Sequence, residues 1–544
     1  MPEDRDETTG AGAAARATPQ LEIVAIWWER IQLHVTVRGA PDGAELGLTH
    51  VEGDEPPMTP TWCSREGDAA RLRFNVMLGP GQMPLAFGRW TLASLKAQGT
   101  GGPARVADPA VVDPEALGRI FRFRGGRYEV VPTVDPETGG LVLEIGGWRG
   151  GRSAKWWKRL RGRLTSVRGL RQRIFGTLLT WYAATGRRTG HRILFTSDSR
   201  AEMSGNLAVV FERMIQRGLD REYELETIFK PSISAPRSWR DRLRLPRLLA
   251  RADVILLDDY QPIIYRIQPD PGVRIIQLWH ASGAFKTVGY SRVGKPGGPS
   301  PFAWRHKNYT HAIVSSRHDV PFYAEAFGIP EDRVVPTGIP RMDRFFDEDQ
   351  RRLGRQKAVD AFPSIDGRRT ILFAPTFRGS GPRNASYAYE LIDFEALHAV
   401  CVEKDAVMIL KMHPFVREPW PIPDHLRDRL IEATHTPLDV NDLLFAVDLL
   451  ITDYSSIVFE FSTLLRPMLF FAYDLDEYVA SRDFYVPFEE FVPGRIARTF
   501  GDVLDALRRD DYQAEKVRPF AERHFDHLDG TATDRIIDEL ILSR

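Results

Sequence analysis

At 544 residues, 43% apolar and 27% charged, the chain is too long for one hydrophobic core and reads as about three globular domains. Lys plus Arg and Asp plus Glu both total 73, so the global balance favours neither a polyanion binder nor an acidic tail, and no nucleic-acid partner is expected. Only Cys63 and Cys401 are present, which excludes a disulfide framework, and no run of about eighteen apolar residues supplies a spanning helix.

Residues 1–20 carry early acids and small residues without an apolar signal core, and are expected to form a disordered tail rather than an export signal. Over 21–147 the pattern is one of short strands: Glu22–Trp28, Ile31–Val37, Arg71–Val76, Gly88–Leu92, Tyr128–Val131 and Leu141–Ile145, separated by Gly, Pro and Asp turns. Such alternation predicts an antiparallel β-sandwich. It holds no cluster of catalytic residue types, so an accessory or docking role is expected.

The segment 148–190 is different in charge. Between Glu144 and Asp198 there is no acidic residue but thirteen basic ones, among them Lys155, Lys158, Arg159, Arg161 and Arg163. Trp156, Trp157, Leu160, Leu164, Ile174, Phe175, Leu178 and Trp181 recur among them at roughly helical spacing. A basic helix with a tryptophan-bearing face suits an anionic membrane surface. RNA binding or a solvated linker helix are the other readings.

From Arg192 the texture becomes alternating buried strands and helices, predicting an α/β architecture of two facing Rossmann-like lobes, 191–350 and 351–544, the second with carboxy-terminal helices. The predicted strands of the first lobe begin near Arg192, Asp253, Val273, His311 and Arg333, and those of the second near Arg369, Ala406, Leu430, Leu449 and Met468. Ligands of such sheets bind beyond the carboxyl ends of the strands, so the residues just after each strand carry the candidate chemistry.

In the first lobe, Trp279-His280-Ala-Ser-Gly-Ala-Phe-Lys286 follows a strand, which makes His280 a general-base candidate with Lys286 beside it. In the second lobe Arg378, then Lys411 and His413, then Asp453 to Glu460 follow successive strands. Arginine, lysine, histidine and a helix amino terminus converging from one sheet would neutralise a pyrophosphate, with Ser455 and Ser456 presenting amides and hydroxyls and Glu460 accepting from a ribose. The helix after Ser456 is predicted to run to about Leu465, before Pro467. A serine cap with a surface glutamate, and a salt-bridge network around Arg378 and Lys411, are the structural alternatives. No acidic cluster with metal-ligand spacing appears, so neither a metal nor a cofactor is expected.

Gln277-Leu-Trp-His280 through Lys286, Ala374-Pro-Thr-Phe-Arg378, Lys411-Met-His413 and above all Thr452-Asp-Tyr-Ser-Ser456 through Arg466-Pro-Met468 resemble the CDP-glycerol glycerophosphotransferase family, which includes teichoic acid primases and polymerases. Ser197 to Phe211, with Asn206, is similar to the family's first strand-to-helix loop, and the resemblance covers about Ile193 to Asp526. Ala281-Ser-Gly283 stands where Gly-Thr-Pro is frequent, and Lys411 where arginine is common, which keeps the charge but loses the bidentate fork.

The resemblance implies a GT-B type fold, CDP-glycerol or a related CDP-alditol as donor, and a peripheral position on the cytoplasmic face of the cell membrane. It implies His280 as base at the acceptor hydroxyl, with Arg378, His413, Ser455 and Ser456 on the donor phosphates. The expected reaction moves glycerol phosphate, or a related alditol phosphate, to a hydroxyl of a lipid-linked wall or capsule polymer and releases CMP. A glycosyltransferase of the same architecture using a sugar nucleotide, and a non-catalytic membrane adaptor, are the alternatives.

Overall fold

The computed structural model describes residues 21–95, 103–149, 167–186, 188–267, 270–379, 381 and 383–543. It divides into two compact units, Met1–Gly151 with Val293–Ala303, and Arg152–Arg292 with Trp304–Arg544.

The first unit contains strands β1 (Glu22–Glu29), β2 (Gln32–Arg38), β3 (Leu46–His50), β4 (Trp62–Glu66), β5 (Ala69–Asn75), β6 (Gly88–Ser94), β7 (Arg105–Val106), β8 (Arg119–Phe123), β9 (Gly126–Val134) and β10 (Leu141–Arg149). They form two mainly antiparallel five-stranded sheets, in the orders β4-β5-β2-β1-β7 and β3-β6-β10-β9-β8. Leu33, Val35 and Val37 alternate as fully buried residues along β2, which is the period-two pattern of a sheet with one apolar face. The Trp28 ring of β1 meets Phe121 of β8 edge-on at 6.3 Å, a contact from one sheet to the other. The expected boundary at 147 misses one feature: Val293–Ala303 belongs with these sheets, because Phe302 packs on Phe123 at 5.9 Å and on Tyr128 at 5.8 Å. A contact across so long a sequence separation leaves no local signature.

The second unit holds two parallel six-stranded sheets. The first lobe has β11 (Arg192–Ser197), β12 (Glu224–Phe229), β13 (Val254–Leu257), β14 (Arg274–Gln277), β15 (His311–Ile313) and β16 (Val334–Val335), in the order β12-β11-β13-β14-β15-β16. The second has β17 (Arg369–Phe373), β18 (Ala406–Leu410), β19 (Leu430–Glu432), β20 (Leu449–Thr452), β21 (Met468–Phe471) and β22 (Arg495–Ala497), in the order β19-β18-β17-β20-β21-β22. Chain order reverses between β11 and β13 in one sheet and between β17 and β20 in the other. Those reversals are where loops part at the carboxyl edge and leave a crevice for a ligand.

Helices α1 (Val167–Thr185), α2 (Gly205–Gln216), α3 (Trp239–Arg251) and α4 (Val320–Phe327) accompany the first sheet, α5 (Ile457–Ser462) follows β20, and α6 (Val517–His524) lies near the carboxyl end. The carboxy-terminal segment, assigned by sequence to the second lobe, returns to the first. Asp526 N–H donates to the Ser315 carbonyl at 3.1 Å, the Arg213 guanidinium grips Asp534 at 2.8–2.9 Å, and Arg274 donates to the Leu540 carbonyl at 3.0 Å.

Of the basic segment, residues 150–166, and with them Lys155, Lys158, Arg159, Arg161 and Arg163, lie outside the described residues. Helix α1 packs along α3, with Phe175 and Leu179 against the first-lobe core, while Leu170, Ile174 and Trp181 remain exposed. Among the described residues no helix is long and apolar enough to cross a membrane.

Candidate active site

After β14 the chain turns through Trp279 at φ 45°, the left-handed region, which costs a bulky residue about 1–3 kcal/mol. Its surroundings hold it there. Trp279 N–H donates to Gln277 Oε1 at 2.9 Å, Asn206 Nδ2 donates to the carbonyls of Leu278 at 3.1 Å and Trp279 at 2.6 Å, and the indole packs on Phe327 at 5.2 Å. The turn leaves the next side chain, His280, 50% exposed while the indole behind it is buried. His280 Nδ1 lies 3.8 Å from Asp259 Oδ1, so Nε2 is the nitrogen left for a substrate hydroxyl. Desolvation, aided by Arg341 and Arg200 and opposed by Asp259, holds the imidazole below the ordinary histidine range. It is therefore neutral at pH 7 and able to accept a proton.

The same loop continues across to the second lobe. Lys286 bridges to Phe484 by backbone pairing, Thr287 N–H donates to the Asp483 carbonyl at 2.9 Å, and Tyr485 N–H donates to the Phe285 carbonyl at 3.0 Å. The Lys286 ammonium lies 5.3 Å above the Tyr478 ring. Desolvation pushes it down to about 8, with Arg482 and Arg378 acting in the same direction and Asp453 opposing.

In the second lobe, fully buried Asp453 spans the reversal between β17 and β20. Its Oδ1 accepts from Thr376 N–H at 2.7 Å and Tyr454 N–H at 2.6 Å, and its Oδ2 from Arg378 Nη1 at 3.0 Å. Arg378 also grips Asp474 through Nε at 2.5 Å and Nη2 at 2.8 Å, donates to the Thr376 carbonyl at 2.6 Å, and sits among the rings of Tyr387, Tyr454, Tyr473 and Tyr478. Nearly all its donors are engaged, so its placement is that of a buried ion-pair centre rather than of a free phosphate ligand. Asp474, which follows β21, completes that centre and is readable by the same after-strand rule.

Lys411 donates to the Ala433 carbonyl at 3.1 Å and is held below the ordinary lysine range by desolvation. His413 is exposed, its ring tilted against Phe377 at 4.9 Å and edge-on to Phe415 at 4.4 Å. Its pKa is lowered by desolvation and by the charge of Lys286. Ser455 is half-buried and Ser456 exposed at the start of α5. That helix ends at Ser462 rather than near Leu465, because Thr463 and Leu464 close it with tighter bonds to Glu460 and Phe461, so its dipole is that of a single turn and a half.

Glu460 departs from the ribose-facing expectation. It is 5% exposed, and Oε1 accepts from the Ser282 hydroxyl at 2.8 Å and from the Arg341 guanidinium of the first lobe. Beside it Gly283 meets the Phe459 ring so closely that a Cβ there would overlap the ring carbons. The Ala281-Ser-Gly283 variation thus has a structural use: serine supplies a hydroxyl to Glu460, and glycine admits Phe459. Arg341, which sequence reading passed over, lies just beyond β16.

Residues 182–542 match the family described as CDP-Glycerol:Poly(glycerophosphate) glycerophosphotransferase. The chain belongs to this family. Among relatives, teichoic acid ribitol-phosphate polymerase TarK of Staphylococcus aureus (strain NCTC 8325 / PS 47) is 49% identical over 348 residues, 64% of this chain and 68% of TarK. Teichoic acid glycerol-phosphate primase of Bacillus subtilis (strain 168) is 25% identical over 295 residues, 54% of this chain and 74% of the primase. Four relatives named for ribitol phosphate are 38–49% identical, and four named for glycerol phosphate 25–29%. In fold the chain is similar to the wall teichoic acid polymerase TagF, with a TM-score of 0.54 at 22% identity, over 71% of this chain and 97% of that one. The α/β fold is thus GT-B-like, and the chain is a phosphotransferase of the glycerophosphotransferase family.

Two outcomes follow from the geometry. Gly283→Ala forces either the loop or Phe459 to move, so the denaturation midpoint should fall by an amount equivalent to about 1–3 kcal/mol; an unchanged midpoint would show that the seam yields freely. Lys286 is charged below about pH 8 and neutral above it. A bound pyrophosphate raises its pKa again, so titration calorimetry at about pH 8.5 in buffers of different ionisation enthalpy should record proton uptake on ligand binding, and Lys286→Met should lose it.

Proposed function

We propose that this glycerophosphotransferase-family enzyme moves ribitol phosphate from CDP-ribitol to a hydroxyl of a membrane-linked cell-wall polymer, releasing CMP. The observation that carries the reading is the joining of an outward-turned, neutral His280 to a cationic second-lobe site by one loop, within the stretch matched by the family. The choice of ribitol over glycerol rests on the higher identity to relatives named for ribitol phosphate.

In this reading the acceptor hydroxyl oxygen attacks the phosphorus that carries the alditol, and its proton passes to His280 Nε2. The bond from that phosphorus to the bridging oxygen breaks, and CMP departs with the electron pair. Lys286, Lys411, His413 and the hydroxyls and amides of Ser455 and Ser456 offset the phosphate charge. Asp453 and Arg378 hold the two donor-side loops together, and Glu460 acts on the lobe seam. No cofactor besides the CDP-alditol donor enters the scheme. The amino-terminal sheets serve as a β-sandwich accessory to the two lobes.

Purified enzyme given CDP-ribitol, CDP-glycerol and a UDP-sugar with a lipid-linked polymer acceptor should release CMP fastest from CDP-ribitol. His280→Ala should slow that release about a hundredfold to ten-thousandfold while donor affinity stays within about twofold. Near-normal transfer by folded His280→Ala would assign the base elsewhere, and turnover of the UDP-sugar alone would make the protein a glycosyltransferase.

Peripheral attachment to the cytoplasmic membrane face is supported by two packed helices. Helix α1 exposes Leu170, Ile174 and Trp181, and α3 exposes Trp239 and Leu243 among Arg240, Arg244 and Arg247. Apolar side chains interleaved with arginines suit an anionic interface. Cosedimentation with anionic vesicles should drop when Lys155, Lys158, Arg159, Arg161 and Arg163 are replaced by glutamine, and further in Trp181→Ala with Trp239→Ala. Undiminished cosedimentation in both would exclude this surface.

A further inference from the structure

His318, Asp319 and His524 each offer one ligand atom, and these atoms lie within 4.8 Å of one another. Asp319, the first residue before α4, is fully buried yet makes no cap to that helix. Among the described residues its carboxylate meets only long contacts, Ala284 N–H at 3.4 Å and, at 3.3 Å, the Ser315 hydroxyl, whose shorter bond goes to the Ser282 carbonyl. His524, the last residue of α6, is 3% exposed and walled by Phe459, Phe491 and Phe520. Its Nδ1 has no hydrogen-bond partner and points at Asp319 Oδ1 from 3.6 Å, too far for a hydrogen bond. A buried carboxylate this weakly satisfied and an unpartnered buried nitrogen aimed at it call for a cation between them.

We propose that His318, Asp319 and His524 form a zinc-class divalent metal site. Bonds of about 2.0–2.2 Å in tetrahedral arrangement set ligand atoms roughly 3.3–3.5 Å apart, close to the Asp319–His524 separation. Half-buried His318, whose ring centroid is 5.3 Å from that of His524, is the third ligand and the one nearest solvent. Two imidazoles and one carboxylate select a borderline transition metal over magnesium or calcium, and water fills the fourth position. The Ala284 amide, at 3.4 Å from Oδ1, orients the carboxylate.

The site's work is structural. It joins α4 of the first lobe to α6, and through Ala284 it stiffens the loop that carries His280 and Lys286. Asp526, two residues beyond His524, accepts from Ser316 Oγ at 2.9 Å and Arg317 Nε at 2.8 Å, so the two segments are already held in place for the metal.

The test uses the full chain, stripped with chelator, then given zinc and desalted. About one zinc per chain should be retained, the melting midpoint should rise by several degrees over the stripped protein, and cobalt should give the intense visible spectrum of a four-coordinate site. His318→Ala removes only a half-buried side chain, so it should melt near the stripped parent while binding zinc at least about tenfold more weakly and losing the cobalt spectrum. The proposal is overturned if the parent retains no zinc, if His318→Ala gains the same zinc-dependent shift, or if magnesium reproduces it.

Discussion

A carboxylate that is 5% exposed must be paired, and Glu460 finds its partners in the opposite lobe, in the Ser282 hydroxyl and the Arg341 guanidinium. Removing Arg341 would leave a buried charge without its ion partner at a cost of several kcal/mol, so the pairing selects one separation of the lobes. Gly283 lets backbone meet the Phe459 ring beside it, and the Lys286–Phe484 bridge ties the same loop a second time. His280 and Lys286 both stand on that loop, so the seam sets the position of each.

Charge in the cleft is divided unevenly as a result. Arg378, the strongest cation after β17, is spent on Asp453 and Asp474, two carboxylates against one guanidinium. In the proposed reaction, positive charge for a phosphate then falls to Lys286 and Lys411, with His413 a neutral hydrogen-bonding group, and Lys286 arrives from the other lobe. In the proposed reaction, the loop that carries His280 also carries Lys286 to the second-lobe residues, so both depend on the lobe seam.

Much of this was legible in the sequence. The interior strands of all four sheets show themselves by buried runs or alternation. The strands that escaped reading, β3, β4, β7, β8, β12 and β22, are all edge strands. Edge strands pair on one side only and bury less, as the exposed run of β4 illustrates, so their apolar pattern is weak. His280, Lys286, Arg378, Lys411, His413, Asp453, Ser455 and Ser456 lie in loops beyond strand ends, where the after-strand rule placed them, because a parallel sheet obliges its loops to gather at one edge.

What the amino-acid order determined by itself was therefore local: which segments are strands, which residues follow them, and the family motifs those residues spell. Tertiary structure alone decided the partners. It turned Glu460 from a helix-face carboxylate into a lobe latch, saturated Arg378 with aspartates, drew residues 293–303 into the amino-terminal sheets, and set His524 against Asp319 across more than two hundred residues. Periodicity reports the environment along one element, whereas a buried charge is satisfied by whichever group the fold brings within about 3 Å, and that group has no fixed distance along the chain.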